Sequence, residues 1–459
     1  MDRRHFSRRL LMALGASVVS PRVLGGEARG VRYGAGSGNG SPRPAPTAFP
    51  RAPRINGPRL NGWLAELAQF GHRADGGVDR MAFSQADLEA RGWVRALMEE
   101  LGLEVRIDAV GNILGRRDGS EPRLPPLMLG SHIDSVPAGG NYDGPLGSLG
   151  AIEVVQTLRE AGVGTRHALE VVIFVNEEGG KTGSRAMAGV LRPEELELET
   201  ASGFTIGEGI RRLGGDPEDL ESAVRTTGDA AGYLELHIEQ GSILEREGIS
   251  IGVVEGIVGI RRWNATVHGA ANHAGTTPMD QRKDALLGAA RLVEAVNRVV
   301  TSFPGSQVGT VGRIWASPGV PNVIPGEVVL SIELRDLEME TIQRVMDGIQ
   351  EEAATIGEEN GTPISIEEFY LSEAAPTDER FRVWTDEACM ELGLSHRRMP
   401  SGAGHDAQSV AHFAPVGMIF VPSIGGVSHR PDEYSRPEDI EAGANVLIST
   451  LLRADRGVS

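Results

Sequence analysis

The sequence predicts an α/β domain interrupted by a smaller inserted α+β domain, and three observations carry that reading. Short apolar runs alternate with stretches of helical spacing from residue 127 onward, which predicts a sheet buried on both faces. Near Gly259 this alternation gives way to RRWNATVHGAANHAG and SIELRDLE, with helices at about 283–301 and 338–356; near Glu373 the α/β style returns. Histidines and acids recur at or just past the predicted carboxyl ends of strands, where open α/β sheets place their ligand crevice. The α/β domain is therefore expected over 57–258 and 373–459 and the insertion over 259–372, with no internal repeat.

Taken in order, the chain opens on MDRRHFSRRLLMALGASVVS, where Arg3, Arg4, Arg8 and Arg9 precede an apolar stretch from Leu10 to Val19. That layout matches a twin-arginine signal over 1–28 and an exported or periplasmic protein; the alternative is a basic tail on a cytoplasmic one. Residues 29–56 are rich in Gly, Pro, Ser and Arg without periodic apolar spacing, which predicts a disordered linker. Order is expected from near Leu60, because Leu60, Trp63, Leu64, Leu67 and Phe70 fall at helical spacing. A second helix starts at Ser84, with Asp87 as its capping-box acid. Strands follow at 127–131, 169–175 and 233–238, with helices at 148–161 and about 184–191. After the insertion come a helix at about 378–392, a strand at 416–421 and a last helix at about 437–453.

Composition removes several classes of function. With 45 basic and 63 acidic residues the net charge is −18, which disfavours nucleic acid and anionic membrane as partners, since both need a basic face. The single cysteine, Cys389, excludes an intramolecular disulfide and a thiolate-rich zinc site. Beyond the N-terminal segment no run approaches the apolar length of a membrane span.

The stretch LMLGSHIDSVPAGGNYDGPLG, from Leu127 to Gly147, runs from an apolar strand into His132 and Asp134, which share a face if the strand continues that far. Gly139 and Gly140 then allow a turn that folds Asp143 back towards His132. By itself the stretch reads equally as a metal site or as a buried His–Asp hydrogen bond beside a glycine-rich turn. Four further stretches decide between them: VNEEGG with Glu177 and Glu178, LELHIEQG with His237 and Gln240, SGAGHDAQ with His405 and Asp406, and GGVSHRPDE with His429. His132, Asp143, Glu178, His237 and His429 offer imidazole and carboxylate without thiolate, a set that suits zinc or manganese. Asp143 can bridge two ions about 4 Å apart, which leaves Glu177 beside a ligand and free to take a proton from activated water.

The motifs GSHIDSVPAGGNYDG, NEEGG, LHIEQG, NHAGTTPMDQRKDA, GVPNVIPG, SGAGHDA and GGVSHRPDE, in this order from about residue 57 to the end, resemble the M20 metallopeptidase superfamily. More narrowly they resemble its amidase and carbamoylase branch: N-carbamoyl-L-amino-acid hydrolases, allantoate amidohydrolases and β-ureidopropionases. The resemblance implies a binuclear-metal aminopeptidase-like catalytic domain with an inserted dimerisation, or lid, domain. It implies that His132, Asp143 and His237 hold one divalent ion and Asp143, Glu178 and His429 a second, zinc or manganese, with cobalt accepted in vitro. By the same resemblance Asp134 orients His132, Glu177 is the general base, and Gln240, Asn322 and Arg335 contact substrate. Gly402, Ala403 and His405 line the same pocket, and His273 stabilises an oxyanion, reaching across from the partner subunit of a homodimer.

The expected substrate is a small ureido compound bearing a carboxylate, cleaved at the ureido C–N bond. An N-carbamoyl-L-amino acid comes first and allantoate is the alternative. A dipeptidase of the wider superfamily fits less well, because an acid usually stands there in place of His237. A non-catalytic metal-binding protein has no use for an unliganded Glu177. The chain departs from the branch after the paired acids, where GGKTGSRAMAG replaces a longer loop and implies a reshaped pocket wall.

Overall fold

The structure, a computed structural model, describes residues 52–458. The predicted signal over 1–28 lies outside the described residues, as does the expected linker up to residue 51. Residues 52–56 are not linker-like. Ile55 is buried and its N–H donates to Asn445 Oδ1 at 3.2 Å. Asn56 caps the helix Gly57–Leu67 by accepting from the Arg59 N–H. Packing thus starts before the first periodic apolar residue, because one isoleucine and one cap leave no periodic trace.

The helix Gln85–Glu100 starts as expected at Ser84, whose hydroxyl accepts from the Asp87 N–H at 3.2 Å. The reciprocal half of the expected box is displaced: the Asp87 carboxylate accepts from Phe83, not Ser84, at 2.8 Å. Phe83 sits in left-handed backbone with φ of 68°, which turns its N–H towards the helix start.

The first six strands are β1 Glu104–Ile107, β2 Ile113–Arg117, β3 Leu127–His132, β4 Leu169–Phe174, β5 Gly232–Ile238 and β6 Ile251–Ile257. The chain then builds β7 Gly259–His268, β8 Asn272–His273, β9 Val308–Ser317, β10 Val323–Ile324, β11 Glu327–Asp336 and β12 Ile364–Ser372. It returns through β13 Ala375–Pro376, β14 His396–Ser401 and β15 Val416–Val421. A nine-stranded sheet runs in the order β1-β2-β4-β3-β5-β15-β6-β13, with β14 also on β6. The neighbours β4, β3, β5 and β15 are mutually parallel and buried along their whole length. From β3 the sheet grows in both directions, to β4 on one side and β5 on the other. That reversal opens a crevice at the carboxyl ends of these strands.

Between β3 and β4 runs the helix Pro145–Glu160, with proline in its first turn and nearly every residue up to Leu158 buried. It packs Leu149, Ile152 and Val155 into the core with Leu129, Val171 and Leu236. Removing any of these buried aliphatics forfeits about 1.5–3 kcal/mol of burial and opens a cavity under the site.

The second sheet runs β12-β7-β11-β9, all antiparallel. Along β11 buried residues alternate with half-buried ones. The buried set, Val328, Leu330, Ile332 and Leu334, packs with Leu292 and Val296 of the helix Ala285–Ser302 and with Val345 and Ile349 of Met339–Asn360. Arg335 therefore lies on the opposite face, away from those helices. β8 and β10 form a separate two-stranded ribbon that pairs His273 with Val323. Among the described residues no helix is long and apolar enough to cross a membrane.

Candidate metal centre

β3 ends at His132, so Asp134 lies beyond the strand and the shared-face argument does not hold for it. His132 Nδ1 donates instead to the Asp134 backbone carbonyl at 3.1 Å, while the Asp134 carboxylate stands off at 3.6 Å. That carboxylate accepts the N–H groups of Glu177 and Glu178, each at 3.2 Å, and so ties the end of β4 to the end of β3. His237, on β5, gives its Nδ1–H to the Ile238 carbonyl at 2.9 Å. A carbonyl only accepts, so both imidazoles carry a proton on Nδ1 and turn Nε2 to the cluster, the orientation of a metal-ligating histidine.

The turn that returns Asp143 differs from expectation. Left-handed backbone occurs at Ala138 (φ 53°) and Gly144 (φ 83°), not at Gly139 or Gly140. Gly140 matters for space, since a Cβ there would lie 2.2 Å from Glu433 Oε1. Gly144 matters for both reasons: a Cβ would lie 2.3 Å from His132 Cε1, so bare backbone packs on that ring. His429 (φ 58°) follows β15 and is half exposed.

These elements bring six expected residues around Asp143. Its Oδ1 faces His237 Nε2 at 3.3 Å and His132 Nε2 at 3.8 Å. Its Oδ2 faces His429 Nε2 at 3.4 Å, and His429 Nε2 lies 3.4 Å from Glu178 Oε2. Two ligand groups result, His132–Asp143–His237 and Asp143–Glu178–His429, and Asp143 belongs to both. Glu177 belongs to neither, with Oε2 3.9 Å from His132 Nε2. Gln240, an expected substrate contact, is held at the cluster, its Nε2 donating to Asp143 Oδ2 at 2.6 Å.

The electrostatics of the cluster favour positive charge among its carboxylates. Burial opposes ionisation of Asp143, yet its contacts with His237 and His429 hold it well below the usual carboxylate range. Burial likewise opposes charge on His132 and His237, yet the surrounding acids raise both. The contact with Asp143, then the charge of Glu178, lifts His429 to about 9. Burial pushes Glu177 up and Glu178 well above its normal range, each in a field of neighbouring carboxylates. His237 Nε2 is buried without a hydrogen-bond partner, although a carboxylate oxygen lies close by. A carboxylate oxygen and an imidazole nitrogen held this close need a proton or a metal cation between them, and a divalent ion fits these residues.

His405 is buried behind the cluster, its ring edge-on to His237 with centroids 4.5 Å apart. Its Nε2 shares a hydrogen bond of 2.8 Å with Ser401 Oγ, which also donates to the Ala403 carbonyl. Burial and the neighbouring His237 push it well below the ordinary histidine value. Arg335 reaches this loop from β11, with Nη1 donating to the Gly402 carbonyl at 2.6 Å and Nε to Glu333 at 2.8 Å. The expected carboxylate fork is therefore partly engaged. His273 and Asn322 stay apart: both are exposed, and the Asn322 carbonyl accepts from the Ala274 N–H. Among the described residues no hydrogen bond or ion pair joins either to the cluster.

Sequence reasoning missed Glu433. Its carboxylate accepts from the N–H groups of Tyr142 (2.8 Å), Asp143 (3.0 Å) and His429 (3.3 Å) and from Ser428 Oγ (2.9 Å), so one buried acid fixes ligands of both groups. GGVSHRPDE contains it, but nothing in the local pattern separates it from Asp432. Glu235 was also missed; it accepts from Ser131 Oγ at 2.7 Å beneath His237. Strand alternation could have found it, since Glu235 and His237 share a face. Non-glycine left-handed backbone at Asn176, Lys181, Gln240 and His429 gathers around this crevice, as strained positions do at functional sites.

Comparison with known proteins agrees with this geometry. Peptidase family M20/M25/M40 matches residues 128–453. An N-carbamoyl-L-amino acid amidohydrolase of Geobacillus stearothermophilus is 42% identical over 410 residues, covering 88% of this chain and 100% of that protein. An allantoate amidohydrolase of Bacillus subtilis is 36% identical over 400 residues, 86% of this chain and 97% of its own. The crystal structure of an amidase of the hydantoinase/carbamoylase family from Burkholderia multivorans superposes with a TM-score of 0.80 at 36% identity, covering 88% of this chain and 99% of that one.

Proposed function

Because the chain belongs to peptidase family M20/M25/M40, in its amidase and carbamoylase branch, we propose that it is a metal-dependent amidohydrolase cleaving the ureido C–N bond of an N-carbamoyl-L-amino acid. The observation that carries the reading is the pair of ligand groups joined through Asp143, with Glu177 beside them and in neither. Two divalent ions, zinc or manganese, held by these groups would supply the positive charge that polarises the carbamoyl oxygen and acidifies water. Glu177 takes the proton of the attacking water and returns it to the leaving nitrogen. The amino acid departs, and the carbamic acid formed breaks down to ammonia and carbon dioxide. The name of the Bacillus relative keeps allantoate as the alternative substrate. The test is release of ammonia and of free amino acid from N-carbamoyl-L-amino acids, allantoate and dipeptides. Amino acid and ammonia in equal amounts from the first group support the reading, and hydrolysis confined to dipeptides overturns it.

Arg335 anchors the substrate carboxylate in this reading. A carboxylate is a stronger acceptor than the neutral Gly402 carbonyl that now takes Nη1, so it displaces that bond. Arg335→Lys keeps the charge but loses the planar fork, and KM should rise about tenfold. Unchanged KM and kcat would remove Arg335 from this role.

His273 completes the site from a partner subunit. Its Nδ1 accepts from the N–H groups of Gly275 (3.0 Å) and Thr276 (3.2 Å), so the proton sits on Nε2 and the outer nitrogen is a donor suited to an oxyanion. β9 and β12 are the edges of the second sheet, and β9 exposes Ile314 and Trp315, which supports pairing with a second copy. His273→Ala and Glu177→Gln should each be nearly inactive as homodimers. Doubly tagged mixed dimers should regain one working site. Verified mixed dimers no more active than either parent would mean that His273 acts within its own chain or not at all.

A further inference from the structure

The segment GGKTGSRAMAG, which departs from the branch pattern, carries a lysine that the reaction described above does not use. Lys181 follows the paired acids in left-handed backbone (φ 59°), and its Nζ donates to Gln408 Oε1. Among the described residues it makes no other side-chain hydrogen bond and no ion pair. An ammonium group has three donors, so Lys181 holds spare donors in a largely enclosed place. It lines a cavity of about 600 Å³ together with Arg185, Arg192, Gln408, Tyr370 and His412. Glu195 engages Arg185 at 2.6 Å and meets Arg192 through Nε at 3.1 Å, and Arg192 is largely exposed. Lys181 is thus an enclosed cation of this wall with donors left for an anion.

One loop links Lys181 to Arg335. Arg335 Nη1 holds the Gly402 carbonyl at 2.6 Å, and a Cβ built on Gly404 would lie 3.2 Å from Lys181 Nζ. Both cations therefore reach one short loop, Arg335 at Gly402 and Lys181 beside Gly404, and the same loop carries His405 against the cluster. A substrate held at this loop by Arg335 meets a second cation there, which suits a second carboxylate. Resting on the amidohydrolase reading, we propose that Lys181 selects substrates whose amino-acid side chain ends in a carboxylate, with Arg335 on the α-carboxylate and Lys181 on the side-chain one.

The test compares N-carbamoyl-L-aspartate and N-carbamoyl-L-glutamate with their amide isosteres, N-carbamoyl-L-asparagine and N-carbamoyl-L-glutamine. The unaltered enzyme should favour each acid in kcat/KM by at least about tenfold. Lys181→Met and Lys181→Gln should lower the acid-to-amide ratio by about 10–100-fold, mainly through KM. The ratio cancels any general damage from the substitution. Calorimetric titration of the metal-loaded protein with the products L-aspartate and L-asparagine gives a second readout, and the preference for aspartate should vanish in Lys181→Met. A ratio unchanged in both variants, or an unaltered enzyme that prefers the amides, overturns the proposal while leaving the amidohydrolase reading intact. Absence of ammonia from every N-carbamoyl compound overturns that reading instead, and equal binding of the two products then overturns the role of Lys181 as well.

Discussion

Asp143→Ala should leave the purified protein with neither metal ion and with ammonia release at background. Asp143 is the residue common to both ligand groups, its Oδ1 turned to His132 and His237 and its Oδ2 to His429. Removing it takes a carboxylate from each group at once, and the remaining pairs of side chains fall short of the three protein ligands usual for a catalytic zinc. His132→Ala should mainly empty one site, because Asp143, Glu178 and His429 remain together. Elemental analysis distinguishes the two variants. Two ions retained in Asp143→Ala would show that the bridge lies elsewhere. The fold should survive, because Glu433 and the helix Pro145–Glu160 hold this turn through backbone and not through the Asp143 carboxylate.

Glu177→Gln should keep both ions and lose about 10²–10⁴-fold in turnover, the usual size of a general-base contribution. The amide has the shape of the carboxylate, and the Glu177 N–H that Asp134 accepts is untouched, so the loss reports proton transfer and not collapse of the strand end. Burial, ahead of the nearby acids, raises Glu177 above the ordinary glutamate value. A base works deprotonated, so in the unaltered enzyme activity should fall as the pH drops through that raised value. The residual rate of Glu177→Gln should lack this acid limb. Near-normal turnover would move the base to another group.

Much of the crevice was legible because strand ends carry it. His132, Glu177, Glu178, His237 and His429 each sit at or just past the carboxyl end of an apolar run, and a parallel sheet gathers such ends on one edge. Turn detail was less legible. Gly139 and Gly140 attracted attention as glycines, whereas the left-handed residues are Ala138 and Gly144. Glu433 was hidden because its partners are backbone N–H groups around residues 142 and 143, far away in the sequence. The cap of the second helix stayed at Ser84, but its reciprocal bond fell one residue earlier because the conformation of Phe83, not its type, decides where Asp87 reaches. Strands β1 and β9 escaped notice for a different reason. Both are largely exposed edge strands: β1 alternates over only four residues, EVRI, and β9, VGTVGRIWAS, has no clean alternation, so burial had left little imprint on their sequence. Arg335 shows the limit of motif reasoning: its position was foreseen, but its hold on Glu333 and Gly402 exists only in three dimensions.

The account rests on a binuclear site that drives ureido hydrolysis, and metal titration of stripped protein tests it most directly. After chelation the protein should release no ammonia from N-carbamoyl-L-amino acids. Zinc or manganese added back should restore the activity, which should level off at two ions per chain. Full activity in the stripped protein, or full recovery at one ion per chain, would contradict it.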